Sequence, residues 1–165
     1  MKIKAILFDF GDTLICTNNF DYDLCLRKVH ESLVKDNVIV PYEECKNVYL
    51  DTRNRLYKKT EDSLHEPEFN LRLTETLKHF GYSFTQKDTV IVKSSDAFAE
   101  TFVSMMQMNP YVPKLLKQLK TENKYKIGLV SNFALPSGVK KTLEKFDIAK
   151  YFDALIISGE VGWRK

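Results

Sequence analysis

The sequence has few residues of the kinds that cross-link a chain or interrupt its regular structure. Its 165 residues include 6 glycines, 5 prolines and 3 cysteines. The cysteines are odd in number and lack the C-x-x-C spacing of zinc and redox sites, which argues against both kinds of site. We therefore expect reduced, structural thiols at Cys16, Cys25 and Cys45.

Long apolar runs and blocks of like charge are also missing. No segment approaches the roughly 20 apolar residues of a membrane-spanning helix, and the apolar run before Asp9 is too short for a signal peptide. The 25 basic and 22 acidic residues are spread along the chain and give a formal charge of +3. Such a balance offers no patch for nucleic acid or a membrane surface. We expect a cytoplasmic globular protein with small-molecule partners.

Apolar residues are plentiful, at 44% of the chain, and they follow two different periodicities. Short, nearly continuous apolar runs predict buried parallel strands at Ile3–Phe8, Tyr125–Val130 and Ala154–Ile157. Helical spacing precedes the second and third of these strands, at Tyr111–Lys124 and Ser137–Phe146. The alternation predicts an α/β fold with a doubly wound parallel sheet. Ligands of such sheets bind at the carboxyl ends of the strands, where we expect Asp9, Ser131 and Ser158 to gather.

The stretch between the first strand and the later ones has a different character. Long amphipathic patterns predict helices at Phe20–Lys35, Pro41–Lys59, Glu68–His79 and Thr89–Met106. We interpret this stretch as a helical bundle inserted after the first strand, where it can act as a lid that excludes water and selects substrates. The predicted division is a core of residues 1–16 and 109–165 with a helical cap of residues 17–108.

The phrase A-I-L-F-D-F-G-D-T-L-I, residues 5–15, places the Asp9 carboxylate at the end of a buried strand. A carboxylate in such a place is costly unless it is paired or ligates a metal. Beside a divalent cation an aspartate can attack phosphorus, while backbone N–H groups of the following turn cradle the phosphate oxygens. The phrase therefore indicates a nucleophile.

Three motifs in this order resemble those of the haloacid dehalogenase superfamily. D-F-G-D-T-L resembles the first motif, G-L-V-S-N-F with Ser131 the second, and the phrase from Gly159 to Lys165 the third. The resemblance covers essentially the whole chain and implies a hydrolase with a Rossmann-like core and a helical cap after the first motif. It also places a fourth motif, with acidic metal ligands, beyond Lys165, so we expect the chain to lack the C-terminal third of the family's fold.

The resemblance implies a role for each matching residue. Asp9 would be the nucleophile and a Mg²⁺ ligand, and the Gly11 carbonyl a second ligand. Ser131 and the Asn132 backbone would hold the phosphate, and Lys165 would steady the charge of the nucleophile and the phosphoryl group. Thr13 is expected to shape the turn. The candidates for substrate contact are Phe10, Asn18 and Asn19.

One position departs from the family's phosphatases. They carry an aspartate two residues after the nucleophile, as the general acid, and here that residue is Gly11. General acid–base help is typically worth about 10²- to 10⁴-fold in rate, so a phosphatase without it should be slow on poor leaving groups. Asp12 is the next carboxylate, and the turn preference of aspartate favours a capping role for it.

Three functions remain open from the sequence. The first is a Mg²⁺-dependent phosphatase that acts on a small phosphorylated metabolite through an aspartyl-phosphate. The second is a metal-independent 2-haloacid dehalogenase, which would need an arginine from the lid. The third is a catalytically weak binding or regulatory protein of the same fold. The arginines available to the second are Arg27, Arg53, Arg55 and Arg72.

Overall fold

The computed structural model describes residues 3–122 and 125–165. The strands in this part of the chain are β1 (Ala5–Phe8), β2 (Ile15–Cys16), β3 (Gln107–Met108), β4 (Lys126–Ser131) and β5 (Ala154–Ile157). The α-helices are α1 (Tyr22–Lys35), α2 (Tyr42–Lys59), α3 (Phe69–His79), α4 (Thr89–Met105), α5 (Val112–Lys117), α6 (Pro136–Lys145) and α7 (Ser158–Val161). A π-helical segment, Gln118–Glu122, continues α5, and a 3₁₀ turn, Ala149–Tyr151, precedes β5. The last two residues of the predicted helix Tyr111–Lys124 lie outside the described residues.

The main sheet has the strand order β1-β4-β5, and its strands are parallel. In its register Phe8 pairs with Leu129, and Ser131 pairs with Ile157. The carboxyl ends of the strands therefore carry Asp9, Ser131 and Ser158 to one edge of the sheet. The predicted α/β class with a parallel, Rossmann-like core is confirmed.

The central strand β4 forms the interior of this sheet. Ile127 and Leu129, which lie on the same face of the strand, are 1% and 0% exposed. Gly128 points to the opposite face, where a Cβ atom would lie 2.6 Å from Leu7 Cδ2. A side chain at this position would therefore require the exposed Leu7 side chain to move.

The helical insertion lies between β2 and β3. Helix α1 packs along α4, and α2 packs along α3. Asp21 caps the N-terminus of helix α1: its side chain accepts a hydrogen bond from Leu24 N at 3.0 Å and so satisfies a free N–H of the first turn. All four predicted helices of this stretch are present, with ends within two residues of the predicted ones.

The two ends of the insertion meet in a short antiparallel pair, β2 with β3, that the sequence did not predict. Two-residue strands are too short to produce a periodic pattern. One continuous hydrophobic cluster includes residues of the sheet and of the insertion, among them Ile127 and Leu33. The division into a core of residues 1–16 and 109–165 and a cap of residues 17–108 stays a prediction. Within the described residues, no helix is both long and apolar enough to cross a membrane.

Candidate active site

Asp9 follows β1 directly and meets Lys165 at the carboxyl end of the sheet. Lys165 Nζ donates to Asp9 Oδ1 at 2.6 Å and to the Val130 carbonyl at 3.0 Å. The Phe10 backbone N–H donates to the same carboxylate oxygen at 2.8 Å. Two residues far apart in the chain, and expected from the sequence to work together, are therefore in direct contact.

These contacts set the charge state of Asp9. Partial burial acts to raise its pKa, but the hydrogen bonds from Lys165 and Phe10 and the positive charge of Lys165 outweigh burial and hold the pKa below its ordinary value. Asp9 is therefore ionised at neutral pH. An ionised carboxylate can act as a nucleophile or as a metal ligand.

Asn132 holds the segment that carries Lys165. Its side-chain Oδ1 accepts from the Lys165 backbone N–H at 2.8 Å, and its Nδ2 donates to the Lys165 carbonyl at 3.3 Å. The resemblance implied a role only for the backbone of Asn132. The side-chain contact could not be found from the sequence because nothing in the spacing indicates that residues 132 and 165 pair.

Asp9 opens onto a cavity of about 270 Å³. Ser131, which is 5% exposed, borders the same cavity. One wall is aromatic: the ring centroids of Phe20 and Phe102 are 5.4 Å apart, and those of Phe102 and Phe133 are 4.7 Å apart. The residues lining the cavity are Asp9, Phe10, Gly11, Thr17, Phe20, Phe102, Ser131, Asn132 and Phe133. A cavity of this size suits a small ligand. The Asp9 carboxylate and the aromatic wall make one side of it polar and another apolar.

The turn after Asp9 is closed by Asp12. Its carboxylate accepts hydrogen bonds from Thr17 Oγ1 at 2.6 Å and from Thr17 N at 3.2 Å, and its φ of 55° lies in the left-handed region that aspartate tolerates. Asp12 therefore caps the turn, as its residue type indicated. Gly11 lines the cavity, whereas Thr13 is exposed in the turn and does not.

Of the three residues predicted to contact substrate, one borders the cavity and two do not. Phe10 borders the cavity but is 2% exposed and belongs to the hydrophobic core. Asn18 and Asn19 are exposed and do not line the cavity. The aromatic wall was not predicted, because Phe20 and Phe102 follow the spacing of bundle core residues. The position of Phe133 just after Ser131 and Asn132 was the available signal.

A second cavity, of about 190 Å³, adjoins the first and shares with it Phe20, Asn132 and Phe133. Arg53 and Arg72 line it. The charge of Arg72 is matched by Glu66, at 2.9 Å. Arg53 lies against the faces of Tyr22 and Tyr57, at 5.8 and 5.5 Å from the ring centroids.

Arg53 gives this second cavity its net positive charge. In residues 3–122 and 125–165, no carboxylate forms an ion pair with Arg53. The other two arginines of the insertion are engaged at the surface, Arg27 with Asp23 and Arg55 with Glu75. Of the four arginines that the sequence left open, Arg53 is the one whose charge is available to a ligand.

Two oxygen donors beside the cavity are of the type that Mg²⁺ prefers. These are the Asp9 carboxylate and the Gly11 carbonyl, and Mg²⁺ is commonly bound through one or two carboxylates together with waters and substrate phosphate. The donor chemistry therefore fits this ion. The described part of the chain has no group of three or more His, Cys, Asp or Glu side chains that could hold a metal ion by themselves.

Comparison with known proteins assigns the chain to a family. Residues 3–165 match the model of the haloacid dehalogenase-like hydrolases. No curated protein sequence matches significantly.

Among solved structures, the 2-haloacid dehalogenase from Pseudomonas syringae pv. tomato DC3000 is similar at a TM-score of 0.59 and 20% identity, over 98% of this chain and 66% of its own. The HAD phosphatase from Thermococcus onnurineus is similar at 0.56 and 21%, over 96% and 64%. The magnesium-bound HAD-hydrolase YfnB from Bacillus subtilis is similar at 0.53 and 19%, over 100% and 68%.

The chain thus spans about two thirds of the length of these structures. At such low identities the likeness establishes the fold, which agrees with the parallel sheet and the inserted helices described above. The match to the family model covers nearly every residue. The chain belongs to the haloacid dehalogenase-like hydrolases.

Proposed function

We propose that this hydrolase is a phosphatase that transfers a phosphoryl group from a small metabolite to Asp9. The observation that carries the proposal is the contact between Asp9 and Lys165, 2.6 Å long, beside a cavity that Ser131 borders. A nucleophile and a hydroxyl donor thus border one small space, and a cation lies against the nucleophile. These are the groups that attack, neutralise and hold a phosphate.

In the proposed reaction, an oxygen of Asp9 attacks phosphorus and forms an aspartyl-phosphate. The bond between phosphorus and the ester oxygen breaks, and the leaving oxygen takes a proton from solvent. A water molecule then attacks phosphorus, which releases inorganic phosphate and restores the Asp9 carboxylate. Lys165 balances negative charge on Asp9 and on the phosphoryl oxygens throughout, and Ser131 donates to a phosphoryl oxygen.

Asp9 and the Gly11 carbonyl would hold Mg²⁺ in this scheme. When bound, the ion would neutralise phosphate charge and lower the electrostatic barrier to attack by a carboxylate. The similarity to a magnesium-bound hydrolase and to a phosphatase supports this part of the proposal. The aromatic wall formed by Phe20, Phe102 and Phe133 would exclude water from one side of the substrate.

A specific observation favours a second candidate, a metal-independent 2-haloacid dehalogenase. Arg53 brings a positive charge to the second cavity, which adjoins the one that Asp9 lines, and a guanidinium suits the carboxylate of a haloacid. In that reaction Asp9 attacks carbon and displaces halide, and no general acid is needed at Gly11. The similarity to a 2-haloacid dehalogenase supports this candidate.

The two candidates are separated by two assays of the same protein. We expect release of nitrophenol from para-nitrophenyl phosphate in the presence of Mg²⁺, loss of that activity with a chelator, and no halide release from 2-chloropropionate. Asp9→Asn should abolish turnover. Asp12→Asn is the matched control, since Asp12 caps the turn and asparagine keeps both its acceptor oxygen and its tolerance of a positive φ.

Other outcomes would redirect the assignment. Halide release that is indifferent to the chelator would replace the phosphatase with the dehalogenase. Phosphate binding without turnover of either substrate would favour the third function, a binding or regulatory protein.

A further inference from the structure

The segment that joins α2 to α3 pairs with the segment that carries Lys165. Glu66 N donates to the Gly162 carbonyl at 3.0 Å, and Arg164 N donates to the Leu64 carbonyl at 2.8 Å. Between these bonds, His65 and Trp163 form an antiparallel bridge, and their ring centroids are 3.8 Å apart. We call residues 64–66 and 162–164 the clasp. It ties the helical insertion to the residues just before Lys165.

The Glu66 side chain lies beneath the clasp and is 1% exposed. Its Oε1 accepts from Arg72 Nη2 at 2.9 Å and from the Tyr57 hydroxyl at 2.8 Å. Its Oε2 accepts from Ser158 Oγ at 2.7 Å. A buried carboxylate is tolerated only when its charge is paired and its oxygens are hydrogen-bonded. Two helices of the insertion therefore hold this carboxylate in one orientation, aimed at Ser158.

Ser158 connects the Glu66 carboxylate to the loop beside the active-site cavity. Its Oγ accepts from the Phe133 backbone N–H at 2.8 Å, and the Phe133 carbonyl accepts from Gly159 N at 3.1 Å. Because the Ser158 hydroxyl donates its only proton to Glu66, it faces Phe133 as an acceptor. The next residue, Ala134, accepts from Phe69 N at 3.1 Å. Residues 133 and 134 are thus fixed by contacts from both α3 and α7.

We infer that Glu66 is a positioning residue for the active site. It acts on the loop of Ser131, Asn132 and Phe133 through Ser158, and the backbone of the same residue anchors the clasp that leads to Lys165. In this arrangement the helical insertion sets the geometry of two of the groups around Asp9. The catalytic part of this inference rests on the proposed function, whereas the structural coupling does not.

The most selective test is Ser158→Ala, which breaks the link to Phe133 and leaves the pair of Glu66 with Arg72 intact. Amide hydrogen exchange at Phe133 should become faster by about tenfold, on the scale of one lost hydrogen bond. With para-nitrophenyl phosphate, kcat should fall by about tenfold while KM changes little, because the loop is misplaced rather than removed. The control is Ser95→Ala, a buried serine of α4 whose hydroxyl donates to Val92 O at 2.9 Å. It should change neither readout.

Glu66→Gln, and the double variant that combines it with Ser158→Ala, complete a double-mutant cycle. If Glu66 acts through Ser158, the double variant should be no more impaired in exchange at Phe133 than Ser158→Ala alone. Glu66→Gln leaves Arg72 buried without a counter-charge, so if it fails to fold, Ser158→Ala alone decides.

The inference is overturned if Phe133 exchanges in Ser158→Ala as it does in Ser95→Ala. Absence of turnover in the unaltered protein would instead refute the proposed function, and the exchange data would still decide whether Glu66 positions the loop.

Discussion

Gly11 occupies the position at which the family's phosphatases carry an aspartate as general acid. The backbone there can accept a side chain: a Cβ atom on Gly11 would meet only Thr17 Cγ2, at the ordinary contact distance of 3.9 Å. The position is also not one of the glycines with positive φ. The missing acid therefore reflects the residue type and not a steric restriction.

We predict that Gly11→Asp raises the rate of phosphate ester hydrolysis, most strongly for esters with poor alcohol leaving groups. General acid catalysis is typically worth about 10²-fold or more, and a gain of at least about tenfold in kcat is expected even with imperfect placement. The measurement is phosphate release from an alkyl phosphate and from para-nitrophenyl phosphate. Gly11→Asn is the isosteric control without an ionisable proton. Equal rates for the two variants would contradict a general-acid role at this position.

The three cysteines should differ sharply in reactivity. Cys16 is exposed, whereas Cys25 and Cys45 are buried. Burial, with a smaller contribution from the charge of Asp21, raises the pKa of Cys25 to about 12, and burial with the charge of Glu44 raises that of Cys45 to about 11. Since the thiolate is the reactive form, we predict that a disulfide reagent at pH 8 modifies one thiol in the native protein and three after unfolding. Cys16→Ser should remove the native reaction; if it does not, one of the buried thiols is accessible.

At the scale of elements, the long helices could be predicted from sequence and the short pairings could not. Helices α1 to α4 span several turns each, so their apolar positions repeat often enough to be recognised. The β2–β3 pair has two residues on each side and no such signal. The convergence of Asp9, Ser131 and Ser158 followed from the rule for parallel strands. The contacts of Glu66 with Ser158 and of Asn132 with Lys165 depend on tertiary packing, which the sequence pattern does not contain.

Asp23 joins α1 to α2 at the surface of the insertion. Its carboxylate accepts hydrogen bonds from Tyr42 Oη at 2.8 Å and Arg27 Nε at 2.8 Å, and lies 2.5 Å from Lys46 Nζ. The hydrogen bonds from Lys46 and Tyr42 lower its pKa to about 2. A carboxylate whose pKa is lower in the folded than in the unfolded chain stabilises the fold above its unfolded value of about 4, and that stabilisation is lost as the pH falls from about 4 to 2.

We therefore predict that Asp23→Asn lowers the melting temperature slightly at pH 7 and that the difference from the unaltered protein disappears between pH 4 and pH 2. The effect is expected to be small because the site is exposed and screened by solvent. Thermal unfolding followed by circular dichroism across this pH range measures it. Asp51→Asn, at an exposed position on α2, is the control. A difference that stays constant down to pH 2 would show that the carboxylate charge is not the cause.

At the scale of the whole molecule, the two faces of the main sheet differ in burial. One face packs against the helices through Ile127, Leu129 and Ile157, all 1% exposed or less. The register places Leu7, Gly128 and Ile156 on the opposite face, where Leu7 is 67% and Ile156 is 44% exposed. Strand β1 is also an edge strand of this sheet. Exposed apolar side chains beside an unpaired strand edge favour association with other chains.

We predict that this chain self-associates and that Leu7→Thr with Ile156→Thr reduces the association without unfolding the sheet. Threonine has the β-branched shape that strands favour, and it replaces part of the apolar surface with a hydroxyl. The formal charge of +3 supplies little electrostatic repulsion to oppose association. Sedimentation velocity at increasing concentration should show a smaller weight-average mass for the double variant. Val92→Thr, which alters a 41% exposed residue of α4, is the control for a general gain in solubility. An equal effect of Val92→Thr would assign the association to the apolar surface as a whole and not to this face of the sheet.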